Sequence, residues 1–144
     1  MLTKLAIAFS LMALCVAIHA TGLIAIFQWL EVRLARGTRG VWPSTWRLIR
    51  VASWAVLLHL AQILVWAAVY SVSGAMKDFT TAAYFSAVTY TTTGYGDLVL
   101  PEDWRVVGGV EALTGILMCG LSTGMFFAVF SKIFHLGDES RTSR

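Results

Sequence analysis

The sequence predicts an all-α membrane protein with three transmembrane helices and a short re-entrant helix, and two observations predict this fold class. Of the 144 residues, 58% are hydrophobic and only 13% are charged, with a mean hydropathy of +0.73, whereas a soluble domain of this length needs more polar surface. Three apolar segments each reach the roughly 20 residues that cross a bilayer. These segments run over about residues 5–30, 51–72 and 106–134.

The first segment contains no Asp, Glu, Lys or Arg. It is far longer than the roughly 7–15-residue apolar core of a secretory signal peptide, and no small-residue cleavage site follows it. We therefore expect residues 1–30 to form a retained transmembrane helix.

A basic loop, residues 31–50, separates the first and second segments. It carries five arginines against one acid, Glu31; the arginines are Arg33, Arg36, Arg39, Arg47 and Arg50. Such an excess in a short loop marks the cytoplasmic side, so the N-terminus is expected outside and the tail, residues 135–144, in the cytoplasm. Gly37, Gly40 and Pro43 predict a turn, with Ser44 or Thr45 as the cap of the next helix.

Two histidines lie at similar depth in the first two segments. His19 is in the first segment and His59 in the second, three residues before Gln62. One interpretation is a contact between the two histidines, or between a histidine and Gln62. The other is two separate neutral imidazoles.

The stretch between the second and third segments begins with a short helix. Asp78 and Thr80 are suitable N-caps, so residues 79–90 are predicted to be helical and about 18 Å long. A helix of this length cannot span the bilayer and must dip in and return. Irregular backbone at membrane depth is tolerated only when it is buried in protein or lines a water-filled path.

The polar run TYTTTGYGDLVLP, residues 89–101, follows this helix. Gly94 and Gly96 reach positive φ at little cost, so an extended run can turn successive carbonyls to one side. A column of neutral oxygens, with the Thr92 hydroxyl at its inner end, can replace the hydration shell of a monovalent cation. Because one chain supplies only one strip of oxygens, four chains around an axis are the natural assembly.

Here the sequence resembles the pore domain of potassium channels. The resemblance rests on TTGYGD, residues 92–97, after a short helix and between two spans, and it covers about residues 51–134. It implies an outer helix, a pore helix, a selectivity filter and an inner helix in a homotetramer that conducts K⁺ passively. The implied filter residues, which would bind K⁺ through carbonyls of Thr92 to Tyr95, are Thr92, Thr93, Gly94, Tyr95 and Gly96.

The chain departs from the family's pattern at two positions. Thr93 stands where the family most often has valine or isoleucine, and its hydroxyl needs a partner behind the filter. Val88 stands where some members have a glutamate bonded to the filter aspartate. Asp97 is therefore expected to bond to the Tyr84 hydroxyl or to water.

The third segment is rich in glycine and contains one acid. Alignment with the family's inner helix places Gly115 at a gating hinge, and helical spacing turns four further residues toward the pore: Ile116, Cys119, Thr123 and Phe127. Phe127 is the candidate constriction. Glu111, about two turns into the span, is costly there; it either supports the filter through hydrogen bonds or is protonated and gates with pH.

The mouth of the candidate filter is predicted to be acidic. Four acids face two bases around it: Asp78, Asp97, Glu102 and Asp103 against Lys77 and Arg105. Such an excess would concentrate cations at the mouth.

Several function classes find no support in the sequence. No phosphate loop, metal-ligand cluster or nucleophile–base pattern is readable, so we expect no enzyme, no cofactor and no nucleic-acid partner. Cys15 and Cys119 both lie in apolar segments and are expected to be buried thiols. No span carries regularly spaced arginines, so no voltage sensor is expected.

The remaining alternatives concern selectivity, gating and location. A channel that passes Na⁺ and K⁺ alike and a non-conducting scaffold subunit are the alternatives to a K⁺ channel. Lipid, pH, tension, an associated protein and a constitutively open pore all fit as gating modes, and the basic loop could bind anionic lipid. The basic, glycine-containing loop favours a prokaryotic plasma membrane.

Overall fold

The structure, a computed structural model, describes the backbone of residues 2–35 and 40–142 and the side chains of residues 2–32 and 40–133. This part of the chain folds into α1 (Leu2–Ala35), α2 (Val41–Val72), α3 (Phe79–Tyr90) and α4 (Arg105–Thr142), with a 3₁₀ turn at Glu102–Trp104. The helices long and apolar enough to cross a membrane are α1, α2 and α4. The predicted all-α membrane fold is confirmed, and α3 has the predicted bounds.

The long helices extend beyond the apolar segments, which corrects the predicted loop at residues 31–50. Residues 31–35 and 41–50 are helical rather than loop, and α4 runs to Thr142 through most of the predicted tail. Apolar composition marks the part of a helix that lies in hydrocarbon, whereas the helix itself can continue into water with charged side chains. The turn predicted at Gly37, together with Arg36 and Arg39, lies outside the described residues.

The start of α2 also differs from the prediction. Gly40, at φ 151°, is the N-cap residue and makes no side-chain cap bond. The predicted caps, Ser44 and Thr45, lie within the first turns, where the Thr45 hydroxyl donates to the Val41 carbonyl at 3.0 Å. The prediction of a side-chain cap here is wrong because Pro43 suits the first turn of a helix and lets α2 begin earlier.

Helices α1 and α4 run parallel, with contacts from Lys4 to Glu31 of α1. Lys4 pairs with Asp103 near the start of both helices, and the Lys132 ammonium lies 2.8 Å from the Glu31 carboxylate near the other end. Between them, His19 Nε2 lies 3.0 Å from Ser122 Oγ. The start of α1 is therefore on the same side of the molecule as the start of α4.

The core lies where α3 packs between α2 and α4. Tyr70 of α2 is fully buried, and its ring makes edge contacts with Phe85 and Trp104, with centroids 5.5 and 6.2 Å apart. Cys15 is buried as predicted, but Cys119 is exposed on the single chain. The prediction of two buried thiols is wrong for Cys119, because helix rotation and not apolar sequence decides which side faces the neighbouring helices.

Candidate functional site

A tight reversal after α2 brings α3 back into the helix bundle. Gly74, at φ 73°, allows the turn because only glycine adopts this conformation readily. The Asp78 side chain then caps α3 by accepting hydrogen bonds from the Thr81 N–H at 2.8 Å and from the Thr81 hydroxyl at 2.9 Å. These bonds lower the pKa of Asp78 below its usual 3.8. The predicted cap at Asp78 is confirmed.

The backbone after α3 alternates in handedness. Positive φ values occur at Thr92 (58°), Gly94 (53°) and Gly96 (78°), and neither Thr93 nor Tyr95 has one. Residues of positive and negative φ in alternation can turn successive peptide groups the same way, with their N–H groups on one side and their carbonyls on the other. Thr92 adopts this conformation without being glycine, which is uncommon and marks a constrained segment.

Three consecutive N–H groups of this segment bond to α3. Thr92 N–H donates to the Thr89 carbonyl at 2.9 Å, and the N–H groups of Thr93 and Gly94 both donate to the Val88 carbonyl, at 2.9 and 3.2 Å. The carbonyls of the segment are left for the opposite side. Residues 91–97 are exposed on the single chain, with Tyr95 72% exposed, so this segment is accessible to a ligand or to further copies of the chain.

Two side-chain hydrogen bonds hold the ends of the segment. The Thr91 and Thr93 hydroxyls lie 2.9 Å apart, which gives the Thr93 hydroxyl a partner. The Tyr84 hydroxyl donates to the Asp97 carboxylate at 2.7 Å, and this bond raises the pKa of Tyr84. The first contact gives the Thr93 hydroxyl the partner that it needs. The second gives Asp97 the tyrosine partner expected because Val88 stands where some members of the family have a glutamate.

Glu111 lies behind α3, fully buried among three helices. Its carboxyl group accepts a hydrogen bond from the Tyr70 hydroxyl at 2.8 Å and also contacts the Ser86 hydroxyl, which lies 2.9 Å from the Ile63 carbonyl. Glu111 therefore joins α4 to α2 and α3. Its partners are side chains of these helices and not the threonines or backbone of the polar run.

Gly115 of α4 meets the C-terminal end of α3. A Cβ atom at this position would lie 1.9 Å from the Tyr90 carbonyl oxygen, so the two helices approach as closely as they do only because residue 115 is glycine. The residues predicted to line the pore lie on a different face of α4, and all are exposed on the single chain: Ile116, Cys119, Thr123 and Phe127. Phe127 is 72% exposed.

The structure also identifies residues that sequence reasoning missed. Tyr70 and Ser86 are the partners of Glu111, and Lys4 neutralises Asp103 at the acidic mouth. A polar residue in an apolar helix is the signal that could have drawn attention to Ser86. Within the described residues, no three histidine, cysteine or acidic side chains come together as a metal site.

Comparison with known proteins identifies the family. A family model described as "Ion channel" matches residues 58–132, which is more than half of the chain and contains α3, the polar run and most of α4. The chain belongs to this ion channel family. The potassium voltage-gated channel protein Shal of Drosophila melanogaster is 43% identical over 56 residues, which are 38% of this chain and 10% of that protein.

The similarity to the curated relative is local. The chain spans about a tenth of the length of Shal, and α1 lies outside the residues that match the ion channel family. No solved structure matches the chain significantly. The resemblance to the potassium-channel pore domain predicted from TTGYGD is confirmed at the level of the family.

Proposed function

We propose that the protein is a passive, potassium-selective ion channel. The alternation of positive φ at Thr92, Gly94 and Gly96 is the observation that carries this proposal, because it turns consecutive backbone carbonyls to one side. In the proposed filter, the carbonyls of Thr92 to Tyr95 and the Thr92 hydroxyl replace the water around a K⁺ ion, and Gly96 lies at the mouth. Neutral oxygens bind the ion without the strong trapping that carboxylates would cause.

Potassium is the proposed ion for two reasons. First, the relative Shal is named as a potassium channel. Second, the hydrogen bond between the Thr91 and Thr93 hydroxyls holds the segment at Thr93, where the family most often has valine or isoleucine. Tyr84 and Asp97 act as supports at the other end of the filter. A filter held at both ends keeps the spacing of its oxygens, on which selectivity depends.

The proposed assembly is a homotetramer in the plasma membrane. Four copies would place their carbonyl strips around one axis, and the exposed face with Ile116, Cys119, Thr123 and Phe127 would line the path below the filter. The N-terminus is proposed to lie outside and the C-terminus in the cytoplasm, because basic residues follow α1. Parallel packing of α1 and α4 supports this topology, because two crossings, by α1 and α2, precede α4 when α3 returns to the side from which it enters.

Ion flux from liposomes tests the proposal. Purified protein is reconstituted with K⁺ as the only gradient, and then with Na⁺. We expect K⁺ flux that barium blocks and little Na⁺ flux, and we expect Gly96→Ala protein to pass neither ion because Gly96 has a φ of 78°, where a Cβ is strained.

The same assay decides between the alternatives. Equal K⁺ and Na⁺ fluxes would replace the proposal with a non-selective cation channel, for which the hydroxyl of Thr93 in place of an aliphatic side chain is the structural reason. Absence of flux with both ions, in wild-type protein and in Phe127→Ala protein with the proposed constriction removed, would favour a non-conducting scaffold.

A further inference from the structure

Five polar side chains from all four helices form a closed ring of hydrogen bonds in the middle of the bundle. The ring is made of His19, His59, Gln62, Tyr90 and Ser122. Tyr90 is the last residue of α3. His19, Gln62 and Tyr90 are almost completely buried. Polar groups at such a position in a membrane protein are costly unless every one of them has a partner.

The distances around the ring are all those of hydrogen bonds. His19 Nε2 and His59 Nε2 each lie 3.0 Å from Ser122 Oγ, and His59 Nδ1 lies 3.1 Å from the Tyr90 hydroxyl. The Tyr90 hydroxyl lies 2.8 Å from Gln62 Oε1, and Gln62 Nε2 lies 2.8 Å from His19 Nδ1. Each side chain therefore has two neighbours in the ring. The histidines and Gln62 use a different atom toward each neighbour, whereas Ser122 and Tyr90 use one hydroxyl toward both.

A bond outside the ring fixes the direction of the donors. Gln62 Nε2 also donates to the Leu58 carbonyl at 3.1 Å, so the amide nitrogen and not the oxygen faces His19. His19 Nδ1 must accept from Gln62, which leaves His19 Nε2 as the donor to Ser122. Ser122 then donates to His59 Nε2.

The remaining bonds follow from the same rule. Because His59 Nε2 accepts, His59 Nδ1 carries the hydrogen and donates to Tyr90, and Tyr90 donates to Gln62 Oε1. Every member then donates once and accepts once within the ring. The geometry assigns two neutral histidines in opposite tautomers, with hydrogen on Nε2 of His19 and on Nδ1 of His59.

A proton added to either histidine breaks this arrangement. On His19 it would place an N–H against the Gln62 amide hydrogens, and on His59 it would give Ser122 two donors and leave the serine hydrogen without its acceptor. A buried donor that faces another donor loses its hydrogen bond and keeps its desolvation cost. The two imidazole rings are also only 5.0 Å apart, so a charge on one disfavours a charge on the other.

The other titratable groups near the ring come from α1 and α4. Cys15 of α1, and Cys119 and Glu111 of α4, interact electrostatically with Tyr90. Glu111 is already bonded to Tyr70 and Ser86. From α2 and α3 the titratable members are His59 and Tyr90 themselves. Among the ring members, histidine is the residue type whose usual pKa lies closest to neutral.

We propose that this ring is a proton-sensitive hydrogen-bond network that positions the end of α3, and hence the proposed filter, against α1 and α4. Tyr90 is the last residue of α3, and Val88, two residues earlier, accepts the N–H groups of Thr93 and Gly94. Acid breaks the Gln62–His19 bond or the Ser122–His59 bond, which disconnects Tyr90 and its two partners on α2 from α1 or α4, and lowers conduction. The predicted effect on conduction rests on the proposed channel function. The assignment of the histidine tautomers is independent of that function.

The tautomers are tested by ¹⁵N solid-state NMR of histidine-labelled protein in liposomes, at about pH 7.5 where free histidine is mostly neutral. The full chain carries His135→Gln so that signals come from His19 and His59 alone. We expect one neutral Nε2–H imidazole and one neutral Nδ1–H imidazole. Two identical tautomers, or a charged histidine at this pH, would overturn the ring.

The coupling is tested by K⁺ flux at about pH 7.5 and about pH 5.5, on either side of the usual histidine pKa. We expect wild-type flux to fall by about fivefold or more in acid, the factor that corresponds to the net contribution of one hydrogen bond. Ser122→Ala opens the ring and should show low flux at both pH values. Ser53→Ala, which removes a hydroxyl bonded only within α2 on the exposed side, should retain the wild-type flux and pH response.

The outcomes separate the two proposals. No wild-type K⁺ flux at the higher pH would refute the channel function, and NMR would still decide whether the ring exists. Wild-type flux with equal values at both pH values, or a wild-type pH response in Ser122→Ala, would refute the coupling. Should Ser122→Ala fail to fold, a wild-type flux that falls in step with the NMR signals of histidine protonation would support the coupling, and a fall at a different pH would overturn it.

Discussion

Gly115 is the residue at which packing and the proposed gating role meet. The family resemblance places a hinge there, while the structure places the Tyr90 carbonyl where a side chain would be. A hinge requires freedom of the backbone, and close packing requires only the absence of Cβ. The two roles are compatible, since a helix can bend about a point where it is held against a neighbour.

Gly115→Ala should therefore lower stability as well as flux. The obstructing atom belongs to the backbone of α3, so the clash is relieved only by separating the two helices, and overpacking of this kind costs about 1–3 kcal/mol or more. We expect a lower melting temperature of the reconstituted protein, measured by intrinsic tryptophan fluorescence.

Gly109→Ala is the matched control for this change. A Cβ at Gly109 meets no atom within 4 Å, and alanine favours the helix more than glycine does, so stability should be retained or should rise. If Gly115→Ala melts like wild type and loses only flux, the packing role is wrong and the hinge alone is left.

At the scale of the element, α3 depends on its first residues because it is only three turns long. The four N–H groups at the start of a helix have no partner within the helix, and the Asp78 carboxylate satisfies one of them at Thr81. A short helix gains little from propagation. Loss of the cap should therefore destabilise α3 more than loss of a cap would destabilise α1 or α4.

Asp78→Ala should lower the melting temperature more than Asp78→Asn, because asparagine caps nearly as well as aspartate. The pKa of Asp78 is lowered in the folded protein, so its charge contributes stability above the unfolded value near 3.8, and this contribution is lost as the pH falls through the folded value. The advantage of wild type over Asp78→Asn should thus shrink between about pH 7 and about pH 3. Equal melting of Ala and Asn variants would show that the cap is not needed.

Some elements could be predicted from the sequence and others could not, for physical reasons. The bounds of α3 follow from a cap residue and a change in composition, which are local signals. The start of α2 at Val41 could not be read from hydropathy, because charged residues outside the membrane are compatible with helix. The ring could not be predicted in full, since the meeting of Tyr90 and Ser122 with the histidines depends on the rotation and register of four helices.

At the scale of the whole molecule, a single chain leaves its functional surfaces open. Residues 92–96 and the face of α4 that carries Phe127 are both exposed. Contacts with α1 hold α4 at Ser122 and Lys132, and hold the turn before α4 at Asp103. An arrangement with one side fixed and the other open is suited to closed rotational symmetry, in which each chain presents the same open side to a common axis.

Mixed assemblies give the sharpest test of four subunits around one pore. Wild-type protein and Gly96→Ala protein are co-expressed in equal amounts and reconstituted, and K⁺ flux is measured. If one Gly96→Ala subunit is enough to block the shared filter, only assemblies of four wild-type chains conduct, and flux should fall to about one sixteenth of the wild-type value. As a control, separately purified wild-type and Gly96→Ala proteins mixed after assembly should give half of it. A fall to about one quarter in the co-expressed sample would indicate two chains per pore. A fall to only one half would mean that each chain conducts alone, and the exposure of residues 92–96 on a single chain argues against this outcome.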